Sequence, residues 1–359
     1  MSARRERLSP RRERGPERDV PSREALLAVV DRFRRLQVAV IGDLVLDEYW
    51  VGRSSRISRE APVLILEFEG DRHVPGGAAN AAMNVMSLGG IPLVVGRLGG
   101  DPAGLALARA LRASGLKTTW LHRDGKGGTI VKTRILAGSS HAARQQIVRL
   151  DRGHTEPLSR AAERKLTSAA RQAVRRAGAV LLSDYGYGVL SRGIRRAAID
   201  GAKRSKVPVV VDSRYDLGSY RGATLLTPNE HEVMEAMHLP SLRAATLRRA
   251  GESLVNERGA RGVWITRGSD GMLLFERGSR PLGLSIVGSS DVADVTGAGD
   301  AVSATAALAL AAGASQLEAA MLATYAASVV VMKRGTATVS REELREAIRV
   351  HTLPRVSFK

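Results

Sequence analysis

Five short apolar runs punctuate the chain: QVAVIGD at 37–43, AVLLSD at 179–184, VPVVVD at 207–212, ATLLTP at 223–228 and GVWITRG at 262–268. They are β-branched and continuous rather than alternating, so each reads as a strand buried on both faces. Segments of helical period lie between them, and a helix over about 22–35 precedes the first. This order predicts an α/β fold, a parallel sheet covered by helices. Several runs end in Asp, Ser, Thr or Asn, Asp184 among them, and in open parallel sheets ligands collect at the carboxyl ends of the strands.

Two segments follow a different rhythm. APVLILEFEG at 61–70, and TIVKTRILAG with ARQQIVRLD within 129–151, alternate apolar and polar residues as strands with one exposed face do. They predict a small separate sheet, either a lid over the strand ends or a subunit contact. SREELREAIRV near the end reads as a capped helix. No internal repeat or second-domain linker is visible. Residues 1–22, polar and unpatterned with RRERLSPRRERGPERD at their heart, predict a disordered basic tail.

Composition narrows the class. With 359 residues, 44% of them hydrophobic, the chain can hold a sizeable core. No apolar run reaches a membrane span without a polar break, and no cysteine is present for a disulfide, a thiolate metal site or a nucleophile. A cytoplasmic protein with no membrane partner is expected. The net charge of +19 raises nucleic acid as a partner. Only +4 of it falls in residues 1–23, however, and the remaining Arg sit on helix faces without interleaved aromatics, which are 4% of the chain. A solvated basic surface, with no specific nucleic acid, is the expectation; a polyanion binder is the competing non-enzyme reading.

Two nucleotide-binding patterns are absent. IGDLVLD lacks the G-x-G-x-x-G turn, and RDGKGGT at 123–129 has Trp120 and Gly127 where a phosphate loop needs Gly and Ser or Thr. DVTGAGD at 294–300, just before AVSATAALALAAG, is more informative. A helix beginning near Gly297 aims its first N–H groups at one spot, and Gly297, Ala298 and Gly299 let an anion approach them. Asp300 then stands beside that spot, able to take a proton from a hydroxyl attacking a phosphoryl group. The plain alternative is a helix start whose Asp favours the dipole.

TPNEHEV places Asn229 and Glu232 three apart after a strand, on one helical face suited to hydrated Mg²⁺ beside a triphosphate. The same pair also makes an N-cap and its capping-box partner. Near the N-terminus, Asp43 and Asp47 at the end of the first strand, with Gly76, Gly77 and Asn80 of PGGAANAAMN, suit the grip on sugar hydroxyls. A strand-end cap and a tight glycine turn account for them equally well.

The order G-D-x-x-x-D, G-G-x-x-N, N-x-x-E, T-R-G and D-x-T-G-A-G-D resembles the PfkB-type, ribokinase-like sugar kinases over residues of about 37–345. Within that family GDLVLDEYWVGRSSRISREAPV, PGGAANAAMNVMSLGG, LSDYGYGVLS and YRGATLLTPNEHE are similar to the D-glycero-β-D-manno-heptose-7-phosphate kinases. The resemblance implies a ribokinase-like three-layer sandwich over 23–359; the alternating segments around 61–70 and 129–151 are expected as its lid strands, and their exposed small sheet suggests a homodimer joined through the lid. It implies ATP and Mg²⁺ as cofactors and a sugar phosphate as substrate, phosphorylated at O1 of the heptose; a PfkB kinase for another sugar or a nucleoside is the alternative.

Residue by residue, it makes Asp300 the catalytic base and Gly297-Ala298-Gly299 the anion hole. Asn229 and Glu232 face Mg²⁺ through water and the ATP phosphates, Thr266 and Gly268 line the nucleotide side, and Arg214 belongs with them. Asp47, Gly76, Gly77 and Asn80 hold the sugar, with Asp43 and Asp184 adjacent. Arg56, Arg134 and Arg144 of the lid are candidates for the sugar's phosphate. Tyr187, Ser213, Arg214 and Thr324 depart from the family pattern, where Lys, Pro, Lys and Asn are expected. The residues after 350 are expected to be too few for a nucleotidyltransferase half.

Overall fold

The computed structural model describes residues 20–358 except 126, 139–143, 154–156 and 290–291. Most of the expected tail, residues 1–19, lies outside the described residues. The chain runs α1 (Arg23–Asp31), β1 (Gln37–Gly42), β2 (Leu44–Ile57), β3 (Leu64–Gly77), α2 (Ala78–Ser87), β4 (Ile91–Gly99), α3 (Pro102–Ala113), β5 (Trp120–Asp124), β6 (Ile130–Gly138) and β7 (Gln145–Arg152). It continues through α4 (Arg160–Val174), β8 (Ala179–Asp184), α5 (Arg192–Ser205), β9 (Val209–Ser213), β10 (Leu225–Leu226), α6 (Glu230–Ala236), α7 (Ala244–Asn256) and β11 (Gly262–Thr266). The last elements are β12 (Met272–Glu276), β13 (Leu282–Leu284), α8 (Ala298–Ala311), α9 (Gln316–Val330), α10 (Arg341–Val350) and β14 (Val356–Phe358).

The apolar runs form the middle of a ten-stranded sheet, ordered β14-β13-β12-β11-β10-β9-β8-β1-β4-β5. From β5 to β11 every pairing is parallel; β12, β13 and β14 add an antiparallel edge. Side-chain alternation divides each central strand between two cores. Val38 and Val40 of β1, Leu181 of β8 and Trp264 of β11 join α1, α2, α3, α8, α9 and α10 on one side. Ala39, Ile41, Leu182 and Ile265 join α4, α5, α6 and α7 on the other. Three layers result, because a strand buried on both faces needs helices on both.

The α8–α9 hairpin is apolar all round and sits against the sheet, its Ala-rich surfaces allowing close approach. That packing carries the start of α8 to the carboxyl ends of β8 and β9, which it contacts. The second sheet, ordered β3-β2-β6-β7, has four strands. It covers the segments expected at 61–70 and 129–151 but also takes β2, whose Asp47 is expected from the sequence at the end of the first strand. Strand β1 stops at Gly42, where a Cβ would meet the Ser183 carbonyl oxygen at 2.0 Å. Beyond this tight crossing the chain leaves the large sheet, so Asp47 belongs to the lid and not to the strand end.

Candidate functional site

Gly297 is the N-cap of α8, in a left-handed conformation with φ 85°, and no side chain caps the helix. A Cβ there would meet Asn80 Nδ2 at 2.8 Å, whereas one on Gly299 would find nothing nearer than Asp212 Oδ2 at 3.9 Å. The uncapped first turn thus opens on a cavity through two glycines, as an anion cradle requires. Of the three expected members, Ala298 gives its N–H to the Val295 carbonyl at 3.2 Å and faces a neighbouring cavity, while Gly297 and Gly299 line the main one.

Asp300 follows in the same turn, 5% exposed. Asn80 Nδ2 donates to its Oδ2 at 2.7 Å and the Tyr185 hydroxyl donates to its Oδ1 at 2.9 Å. Burial, aided by the nearby Asp212 charge, pushes its pKa up to about 7, against the two hydrogen bonds that pull it down. A base poised near neutrality results. Asn80, expected on the sugar, is turned to Asp300 instead.

Asp43 is 1% exposed and lies beneath the cavity floor. Its oxygens accept N–H bonds from Tyr185, Tyr187 and Val189 at 2.9, 3.0 and 3.0 Å. It holds the loop after β8 rather than a ligand, and burial raises its pKa to about 6. Gly76 and Gly77 end β3 beside the two aspartates: a Cβ on Gly76 would meet Asp47 Oδ2 at 2.4 Å, and one on Gly77 the Asp43 carbonyl oxygen at 2.6 Å. Asp47 does reach the cavity, with Arg134 donating to one oxygen and Thr336 to the other, both at 2.6 Å.

At the far end of the cavity Asn229 and Glu232 form the reciprocal capping box that begins α6. The capping reading is therefore realised, and both residues still line the cavity. Asp212, near the end of β9, faces Glu232; burial and the Glu232 charge raise the Asp212 pKa, while burial raises that of Glu232 against the Asn229 N–H bond and Arg214. Arg214 lies 4.4 Å from the Tyr185 ring centroid. Asp184 lines the same wall, its oxygens taken by Gly186 N at 3.0 Å and by the Tyr220 hydroxyl.

The lid supplies the opposite charge. Along β2 and β6, Asp47, Lys132 and Arg134 alternate to the cavity side, joined by Arg149 of β7, which stands directly opposite Arg134. Lys132 is 5% exposed, close to the Tyr185 and Tyr187 rings, and burial with Arg214 nearby lowers its pKa to about 8. Arg134 and Arg149 are each held by a carboxylate, Asp47 at 2.6 Å and Asp151 at 2.8 Å, which offsets the repulsion of like charges paired across strands. Arg56 and Arg144 are not part of this wall: Arg56 is exposed on the outer half of β2, and Arg144 pairs with Glu69 at 2.8 Å.

Two cavities therefore meet at α8. The polar one, about 280 Å³, holds Asp47, Lys132, Arg214, Glu232 and Asp300. The other, about 400 Å³, is mostly apolar, with Ile286, Val287, Val302 and Ala327 beside Gly268 and Thr324. Thr266, Val295 and Gly299 line both.

The pattern of the pfkB family carbohydrate kinases matches residues 35–343. The chain belongs to the pfkB family of carbohydrate kinases. By family it is an ATP-dependent sugar kinase. It is 44% identical over 313 residues to the bifunctional protein HldE of Azorhizobium caulinodans, and 41% identical over 318 residues to that of Gluconobacter oxydans. These matches cover 87% and 88% of this chain but 64% and 65% of the relatives, so the chain spans less than two thirds of their length. The fold is similar to ribokinase of Arabidopsis thaliana complexed with ribose and ATP, with TM-score 0.67 and 23% identity over 88% of this chain and 99% of that one. It is also similar to phosphofructokinase-2 of Escherichia coli, with TM-score 0.71 and 19% identity over 88% and 98%.

Sequence reasoning missed Asp212, Tyr185, Lys132, Arg149 and Thr336. Asp212 carried a signal, since it ends one of the apolar runs. Lys132 and Arg149 lay on the polar phase of alternating strands, which tells their face but not what it looks onto.

Proposed function

We propose that the chain phosphorylates O1 of D-glycero-D-manno-heptose 7-phosphate, giving the 1,7-bisphosphate used in ADP-heptose formation, and that it does so in the cytoplasm with ATP and Mg²⁺. The observation that carries this reading is the wall of Lys132, Arg134, Arg149 and Arg214 facing Asp300 across one cavity. Carboxylates line the same cavity, so the cations are not in excess, but a neutral sugar needs no such cluster of them on one side, and a sugar already bearing a phosphate does. The similarity to HldE over most of the chain supports the same substrate class.

In this scheme the Asp300 carboxylate takes the proton from the sugar hydroxyl as it attacks, and the N–H groups of the first turn of α8 receive the developing negative charge. Bound Mg²⁺-ATP supplies the phosphoryl group and neutralises its charge. Asn229 and Glu232 suit a hydrated cation, because Glu232 and Asp212 face one cavity as carboxyls whose charges repel. Thr266 and Gly268 border the apolar cavity, whose walls fit a planar base. Thr324 stands there with its hydroxyl donating to the Ala320 carbonyl at 2.9 Å, so it offers a base no amide. Asp47 fixes Arg134 and turns it to the substrate.

The catalytic unit is proposed to span 23–359, with the four-stranded sheet as its lid and, through the face turned from the cavity, its dimer contact. A panel of sugars and sugar phosphates read by ATP consumption tests the substrate. Heptose 7-phosphate should be turned over with the highest kcat/KM. Preference for ribose, fructose or a nucleoside would replace the heptose reading with the wider family alternative.

A further inference from the structure

The loop after β8 holds a residue that the scheme above does not use. Tyr185 is half-buried, its hydroxyl on Asp300 Oδ1 at 2.9 Å and its ring under Arg214 at 4.4 Å, with Lys132 at 5.4 Å. Its backbone is fixed from below, since Asp43 accepts the N–H groups of residues 185, 187 and 189. A buried carboxylate committed to three loop amides leaves the loop little freedom. Asn80 occupies the other oxygen of Asp300, so the carboxylate plane is held from both sides.

We propose that Tyr185 is a positioning residue for the Asp300 base: its phenol holds the carboxylate in its ionised form and in one orientation, and Asp43 exists to fix the loop that presents it. The chemistry is that of a charge-assisted bond. The phenol donates to the charged form, and the two cations over its ring make it the stronger donor. Burial and the charges of Asp212 and Asp47 push Asp300 toward the protonated form, and Tyr185 and Asn80 are the groups that oppose them. Without the phenol the base would be protonated over more of the neutral range and free to rotate. The inference rests on the reading of Asp300 as the base, but it is tested on the carboxyl itself.

The measurement is the carboxyl carbon titration of Asp300 in the full chain labelled with ¹³C-aspartate, its signal assigned by its loss in Asp300→Asn. A hydrogen bond to a charged group of ordinary strength corresponds to about one to two pH units. Tyr185→Phe should therefore raise the midpoint by about one unit or more. Tyr325→Phe, whose hydroxyl donates to the distant Thr352 carbonyl, should leave it unchanged. An unmoved midpoint in Tyr185→Phe overturns the proposal. If that variant does not fold, replacing the six tyrosines by the more acidic 3-fluorotyrosine tests the same bond in a folded chain. The midpoint should then fall, and no change overturns the proposal.

With heptose 7-phosphate as substrate, the acid limb of kcat/KM for Tyr185→Phe should move up with the carboxyl while KM for ATP stays constant. Failure of every sugar in the panel would reject the substrate reading and leave the carboxyl titration to decide this one.

Discussion

As the proposed base, Asp300 sets activity and stability against each other. Its folded pKa of about 7 lies above its ordinary value of 3.8, so folding favours the protonated form. The stability this contributes is complete below about pH 4 and is lost as pH rises through 7, at roughly 1.4 kcal/mol for each unit of raised pKa. Activity runs the other way, because only the ionised base accepts a proton. Asp300→Asn removes both dependences. Its kcat should fall by about 10² to 10⁴, with KM for ATP nearly unchanged. In urea melts at several pH values its stability should decline less between about pH 5 and 8 than that of the unaltered chain; equal slopes, or near-normal turnover, would refute the assignment. Asp300, Asn229 and Glu232 were legible in the sequence because each sits at a helix start marked by its own neighbours. Tyr185 and Asn80 were not legible as partners of Asp300, since they come from other segments and only the fold brings them within hydrogen-bond reach.

At the scale of elements, the first turn of α8 separates two kinds of glycine. Gly297 needs its left-handed φ of 85°, and a Cβ would press on Asn80. Gly297→Ala should lose about 1–3 kcal/mol in denaturant titrations and lose turnover with it, because Asn80 is displaced from Asp300. Gly299 has room for a methyl group, which would nonetheless cover the N–H an anion must approach. Gly299→Ala should keep its melting temperature and lose turnover alone; an active Gly299→Ala would show that the amide is not used. The strands of the large sheet were readable because burial on both faces leaves one unbroken apolar signature. Strand β2 was not, since its first six residues are buried and most of its remainder is exposed, so no single period describes it. Strand β4 carries Pro92 and Gly96, which dilute the same signature.

For the whole molecule, the charge of +19 opposes association of two copies. Much of it is solvated on helix faces, as with Arg164, Lys165 and Arg171 of α4 and Arg192, Arg196 and Lys203 of α5, all exposed. The proposed homodimer can form only where apolar surface outweighs repulsion, and the lid offers that surface. Trp50, Val148 and Leu150 point away from the cavity at 38%, 50% and 49% exposure, on the phase opposite Asp47, Lys132 and Arg149. Burial of apolar groups strengthens association while salt weakens the repulsion, so the dimer fraction in sedimentation should rise from low to moderate salt. Association bridged by a nucleic acid would fall steeply over the same range, because counterion release is then lost. Val148→Glu combined with Leu150→Glu should yield a monomer of unchanged melting temperature, since neither side chain supports the core. A monomer in the unaltered chain at all salt concentrations, or a dimer that survives both substitutions, would remove the lid as the contact.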